Sequence, residues 1–262
     1  MSRLLKGIIV GIGKIIPGVS GSMLAISLGI YEESIYAINN LLKKPKQSFQ
    51  FLFPIGLGVL ISIIFFSKII LSFLNSYYVS TILFFIGLIL GGIKDIIKET
   101  KLKYSIVTLI CFIVILFLGM IYKNNELYFD NFMYLFLIGI IEAATMIIPG
   151  ISGTAILMMI GCYETLISVI SDLTNIENLI YNLSIIIPFG LGIMIGILLL
   201  VKLIKLLFQS YYHQTYNAIL GFSLATILYM FKTTLYSSYN VYEIIIGMMT
   251  LMLGYIIAKR IN

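Results

Sequence analysis

A proline–glycine break occurs twice inside apolar stretches that would otherwise pass for plain membrane spans. Residues 7–35 read GIIVGIGKIIPGVSGSMLAISLGIYEESI, and residues 139–167 read GIIEAATMIIPGISGTAILMMIGCYETLI. The match is ungapped at an offset of 132, and Ile15, Ile16, Pro17, Gly18, Ser20, Gly21, Gly29, Tyr31 and Glu32 all recur. Further on the offset becomes 134: Pro54-Ile-Gly-Leu-Gly58 matches Pro188-Phe-Gly-Leu-Gly192, and Ser76-Tyr77-Tyr78 matches Ser210-Tyr211-Tyr212. The chain therefore reads as two copies of one unit, residues 1–123 and 131–262. Interrupted apolar segments at corresponding places in two halves are the sequence pointer to a transporter site built from broken helices.

The surroundings of these breaks are those of an integral membrane protein. Apolar residues make up 60% of the chain and charged ones 11%, with a mean hydropathy of +1.09. Runs such as 55–66, 80–92 and 105–122 approach or reach the roughly 20 residues that cross a hydrocarbon core. The predicted class is an all-α polytopic membrane protein. Each unit holds one broken segment (7–40 and 131–170) and three spans, at about 49–74, 79–97 and 104–122, then about 181–208, 213–232 and 240–258. Arg3 and Lys6 precede an apolar stretch, but Lys14 interrupts it and no small-residue cleavage site follows, so the N-terminus reads as retained. Cys111 and Cys162 lack metal-type spacing. The net charge of +6 suits a face against anionic lipid. It does not point to nucleic acid, because the basic residues are spread among loops.

Charge decides whether the broken segments cross the membrane. If they cross, the basic residues outside the spans divide seven against eight. If each turns back on the side it entered, thirteen lie on one side and only Lys123 and Lys232 on the other. The second division is what the positive-inside rule demands. The expectation is therefore two re-entrant hairpins entering from opposite faces, three crossings per unit, two units inverted relative to each other, and both termini cytoplasmic.

At each hairpin tip, Pro17 or Pro149 ends the first arm. Gly18, Gly21, Gly150 and Gly153 permit a tight turn and close approach. Ser20, Ser22, Ser152 and Thr154 can cap the second arm. A second arm that starts at mid-membrane aims free N–H groups and partial positive charge inward, which suits an anion. Lys14 lies about one turn before the first break and Glu142 about two turns before the second, while Met146 and Val10 occupy the equivalent positions. Ionisable groups inside a membrane are functional by default. Lys14 could neutralise an anionic group, and Glu142 could carry a coupling proton or hold Lys14. Glu32 and Glu164, eleven residues past Gly21 and Gly153, would lie about 16 Å along a continuous helix, near the membrane surface. His213 carries no relay.

The paired motifs IIPGVSGSMLAISLGIYE and IIPGISGTAILMMIGCYE resemble those of the bacterial polyprenyl-phosphate transporter family, and the resemblance covers nearly the whole chain. It implies a flippase that returns undecaprenyl phosphate, or another polyprenyl phosphate, from the outer to the inner leaflet of the cytoplasmic membrane for cell-envelope synthesis. The first motif departs from the family's usual Ser-Gly-Gly-Thr by reading Ser20-Gly21-Ser22-Met23, which shifts the hydroxyl by one position. Under this reading Lys14, Gly18, Ser20, Gly21, Ser22, Gly150, Ser152, Gly153 and Thr154 bind the head. Glu142 serves coupling to protons or sodium, and no cofactor or metal is called for. Membrane lipid is the other partner, and a homo-oligomer is compatible with the sequence. Membrane undecaprenyl-diphosphate phosphatases are the enzyme alternative. They need an arginine where Gly21 and Gly153 stand, and the only arginines here are Arg3 and Arg260. A transporter of small soluble anions and a membrane scaffold are the other readings.

Overall fold

The computed structural model describes residues 1–122, 131–148, 150–236 and 241–261. Lys123 and Pro149, which entered the sequence reading, lie outside the described residues. The described chain is helical throughout, without strands. The first half runs α1 (Arg3–Ile15), α2 (Gly21–Ser27), α3 (Tyr31–Asn39), α4 (Pro45–Ser76), α5 (Tyr78–Glu99) and α6 (Ser105–Tyr122), with a 3-10 turn at Leu102–Tyr104 before α6. The second half runs α7 (Phe132–Ile147), α8 (Gly153–Ile160), α9 (Tyr163–Ser171), α10 (Leu179–Ser210), α11 (Tyr212–Tyr236) and α12 (Val241–Ile261).

These are the same six elements twice, and most boundaries recur at the offsets read from the sequence. The ends of α1, α2 and α3 line up with those of α7, α8 and α9, and the 32-residue α4 with the 32-residue α10. Both long helices keep an internal proline, Pro54 or Pro188. At about 48 Å each, they exceed the roughly 30 Å of a hydrocarbon core. Among the described residues, five helices are long and apolar enough to cross a membrane, or six if the bent pair α8–α9 counts as one span. The chain is a multi-pass membrane protein.

Packing follows the repeat as well. The first helix of each half lies against the fourth of the same half: α1 on α4, α7 on α10. Glycine makes this approach possible, because a Cβ on Gly7 would strike the Ile55 carbonyl and one on Gly139 the equivalent Phe189 carbonyl. The last two helices are exchanged between halves: α5 packs on α12, and α11 on α6. Neither half is a separable body. Helix α5 is at the centre, with 67% of its span buried inside the protein, against 17% for α12 and 28% for α4 and α10. The outer helices turn Phe65, Leu199, Met249 and Met252 outward, as surfaces bathed in lipid do.

One expectation fails. The segment after each break is not one continuous helix. It breaks again at Gly29 (φ +66°) and Gly161 (φ +81°), and α8 and α9 meet at 110°. The straight-helix distance from the tips to Glu32 and Glu164 therefore does not apply. The left-handed glycine is the physical cause, since it ends α8 and turns the chain.

Candidate functional site

Each half forms its tip in the same way. Helix α1 stops at Ile15, just before Pro17, and Gly18 takes φ +93°; at the matching place α7 stops at Ile147 and Gly150 takes φ +87°. Those dihedrals suit glycine and are strained for other residues. Ser20 and Ser152 then cap the next helices, accepting hydrogen bonds from the N–H of Met23 and of Ala155, both at 3.4 Å. The chain folds back on itself after the break: Gly13 faces Leu24 and Gly21 faces the Lys14 stem, and Gly153 faces Glu142 and Thr145.

The two tips meet and hold each other. The Gly18 N–H donates to Ser152 Oγ (3.0 Å), and the Gly150 N–H donates to Ser20 Oγ (3.3 Å). Ser20 and Ser22 share a hydrogen bond of 2.8 Å, and Ser152 and Thr154 one of 3.0 Å. Ser22 also donates to the Ile148 carbonyl at 3.0 Å. One turn further out, the Tyr31 hydroxyl donates to the Ile147 carbonyl (2.6 Å), and the Tyr163 hydroxyl to the Ile15 carbonyl (2.7 Å). Those carbonyls stand at the ends of α7 and α1, where the helix no longer supplies a donor. Each half thus satisfies the broken backbone of the other.

A cavity of about 190 Å³ reaches the tips from one side. Gly18, Ser20, Gly150 and Ser152 form part of its wall, with Ile89, Ala155, Phe222 and Thr226. Asp95, Glu99 and Tyr216 also line it, where α5 ends and α11 begins. Asp95 is paired with Lys98 at 2.5 Å, Glu99 accepts a hydrogen bond from the Tyr212 hydroxyl at 3.0 Å, and His213 Nδ1 lies 2.8 Å from the Glu99 carbonyl oxygen. A smaller cavity of about 50 Å³ lies among Tyr78, Tyr163, Glu164, Tyr229 and Thr233, without the tip serines in its wall. Tyr229 and Thr233 are the repeat equivalents of Asp95 and Glu99. The tip serines thus line the first cavity and not the second.

Four of the expected site residues, Gly18, Ser20, Gly150 and Ser152, come together at this cavity. Ser22 and Thr154 stand behind the serines and bond to them. Lys14 is elsewhere: its Nζ is 2.5 Å from Glu142 Oε1, and the two side chains are 9% and 5% exposed. Their neighbours Gly21 and Gly153 are covered by Lys14 and Glu142. The sequence reading gave no role to Tyr31 and Tyr163, although both belong to the repeated Gly-x-Tyr-Glu. Asp95, Glu99 and Tyr216 carried no such signal, since their equivalents Tyr229, Thr233 and Ile82 are chemically different.

Comparison with known proteins bears on the site. The profile of a family described as undecaprenyl phosphate translocase-like matches residues 10–246. A polyprenyl-phosphate transporter of Staphylococcus aureus is 27% identical over 243 residues, covering 87% of this chain and 85% of its own. A polyprenyl-phosphate transporter of Vibrio cholerae is 29% identical over 252 residues, covering 90% of this chain and 79% of its own. No solved structure matches the chain.

Proposed function

Because the chain belongs to the undecaprenyl phosphate translocase-like family, we propose that it carries undecaprenyl phosphate, or another polyprenyl phosphate, from the outer to the inner leaflet of the cytoplasmic membrane. The phosphate head binds where the two tips meet. The observation that carries this is the crossed pair of hydrogen bonds, Gly18 to Ser152 and Gly150 to Ser20, at the wall of the cavity. Both N–H groups now spend themselves on serine oxygens. A phosphate oxygen is a better acceptor, because hydrogen bonds to an ionised group are roughly twice as strong as neutral ones. Its arrival takes over the N–H groups and frees the Ser20 and Ser152 hydroxyls to donate. On this reading the head enters the cavity of about 190 Å³ and the prenyl tail stays in lipid.

The two halves are read as inverted repeats with re-entrant hairpins. Exchange of the last two helices between halves and the reciprocal tip contacts support that reading, since a two-fold relation generates both. The large cavity lies at the end of α5 next to Lys94, Lys98, Lys101 and Lys103, the side that the charge pattern assigns to the cytoplasm. The arrangement is then inward-facing, and the small cavity by Tyr229 is its closed outer counterpart. Rocking the halves to close the first and open the second gives alternating access around one fixed site. We read the protein as a carrier and not as a phosphatase: among the described residues no arginine lines the cavity at the tips, and phosphoryl transfer depends on such a cationic clamp.

Purified protein in proteoliposomes tests the proposal, with labelled undecaprenyl phosphate as substrate and inorganic phosphate or the diphosphate lipid as competitor. Translocation of the monophosphate lipid, blocked weakly or not at all by inorganic phosphate, is the expected result. Hydrolysis of the diphosphate, or transport of inorganic phosphate alone, would overturn it.

A further inference from the structure

The contacts at the tips are mostly reciprocal, the Ser22 bond to the Ile148 carbonyl and one ion pair apart. Glycines, serines and tyrosines exchange equivalent bonds between halves, but the Lys14–Glu142 pair has no counterpart, because Met146 and Val10 occupy the matching positions. The pair joins α1 to α7, hence one half to the other. It is incompletely satisfied. Glu142 Oε1 takes Lys14, while Oε2 is buried with no hydrogen-bond partner among the described residues. Oε2 crowds the face of Gly153 together with Thr145 Oγ1. The Thr145 hydroxyl gives its own proton to the Glu142 carbonyl at 2.7 Å, which leaves its lone pairs ready to accept another.

From this geometry we infer that Glu142 is a proton-binding site of the transport cycle, exchanging Lys14 for a proton when the halves part. The inference rests on the carrier reading above. Any rocking that separates the tips also pulls Lys14 from Glu142. A carboxylate stranded without its partner in an apolar interior neutralises rather than stay charged. The freed Lys14 ammonium keeps its proton by pairing with the anionic phosphate head, while the Glu142 proton enters from the outer side, is held on Oε2 beside Thr145 Oγ1, and leaves to the cytoplasm when Lys14 returns. Among the described residues, the elements packed on α7 bring no second acidic or basic side chain to it. Lys14 is the charged group facing Glu142 from α1. Neither α2, nor α8, nor the stretch of α10 from Ile185 to Leu200 carries an ionisable side chain. Because the pair is unique to one place in a two-fold arrangement, one proton per cycle suffices to make the cycle sense a gradient.

The experiment imposes a pH gradient across proteoliposomes holding the wild-type protein or K14M/E142Q. The double variant removes both charges together and restores the Met found at the equivalent place in the other half. In the wild type, one proton per lipid makes net accumulation rise by up to about tenfold per unit of pH gradient. In K14M/E142Q the ratio of translocation with the gradient to translocation without it falls to about one, whatever its absolute rate. A wild type indifferent to pH but driven by a sodium gradient overturns the inference, as does a double variant that still responds to pH. Neither result touches the carrier proposal, which needs only gradient-free translocation. If the double variant moves nothing under any condition, infrared difference spectra between acidic and alkaline pH decide. A carboxyl band that titrates in the wild type and is missing from the variant is expected, and identical spectra overturn the inference.

Discussion

At the residue scale, hydroxyls do most of the work of making a broken backbone tolerable inside a membrane. Tyr163 is almost fully buried at 1% exposure, and its hydroxyl donates to the Ile15 carbonyl. Tyr163→Phe keeps the ring and removes that donor, so it should cost about 1–3 kcal/mol, the penalty for a buried polar group left unpaired. Thermal unfolding followed by circular dichroism reads this directly. Tyr31→Phe, at a half-buried position, should cost less. Outside the spans, Asp172 accepts hydrogen bonds from the side chains of Asn178 (2.9 Å) and Asn182 (3.1 Å). These bonds hold its carboxyl below the usual carboxylate range, with Lys68 adding to the effect. A depressed pKa means that the stabilisation is fully present above the unfolded value, about 3.9, and is lost as pH falls through the folded value below it. Amide protection in the turn between α9 and α10, taken relative to the intrinsic exchange rate at each pH, should therefore be constant from neutral down to about pH 4, and should fall only in stronger acid. Asp172→Asn should abolish that acid response, and an onset near neutrality would contradict the assignment.

At the scale of elements, glycine sets how closely the first helix of each half lies on the fourth. A Cβ at Gly139 would strike backbone, whereas one at Gly190 meets nothing within 4 Å. Gly139→Ala should destabilise by about 1–3 kcal/mol, the usual penalty of overpacking. Gly190→Ala, one helix away, should be neutral or slightly stabilising through the unfolded chain. Equal melting temperatures for the two would refute the close-approach argument. The elements themselves were largely legible, because membrane spans announce themselves by length and apolarity, and because two copies of one pattern check each other. The second breaks at Gly29 and Gly161 were less legible. A glycine inside an apolar run signals a bend only when its φ is positive, and that depends on what the bend packs against. The Lys14–Glu142 contact was one of two options the sequence offered, and it could not choose between them: two ionisable residues on different helices at non-equivalent repeat positions have no sequence spacing that could report their distance.

At the scale of the whole molecule, the repeat explains why one binding place can serve two sides. The sequence carries the repeat, but not which of two arrangements the protein rests in. On the proposed reading, the difference between the cavities beside Asp95 and Tyr229 distinguishes them. Asp95→Cys and Tyr229→Cys occupy equivalent positions in the two halves. A membrane-impermeant thiol reagent should reach the first from the cytoplasmic side and the second from the outside. Labelling of both from one side would refute inversion. Undecaprenyl phosphate should slow labelling at Asp95→Cys more than inorganic phosphate does, because the lipid head shares its cavity.

The most direct test of the central claim, that two hairpin tips frame one phosphate site, is translocation of undecaprenyl phosphate by Ser20→Ala/Ser152→Ala in proteoliposomes, alongside the wild type and matched for protein inserted. Each serine bonds both to its own helix start and to the opposite tip. Two charge-assisted bonds at about 1.5–3 kcal/mol each are at stake. The account predicts loss of translocation by at least about a hundredfold, with helix content retained. Wild-type rates in the double variant would contradict it and move the phosphate site away from the tips.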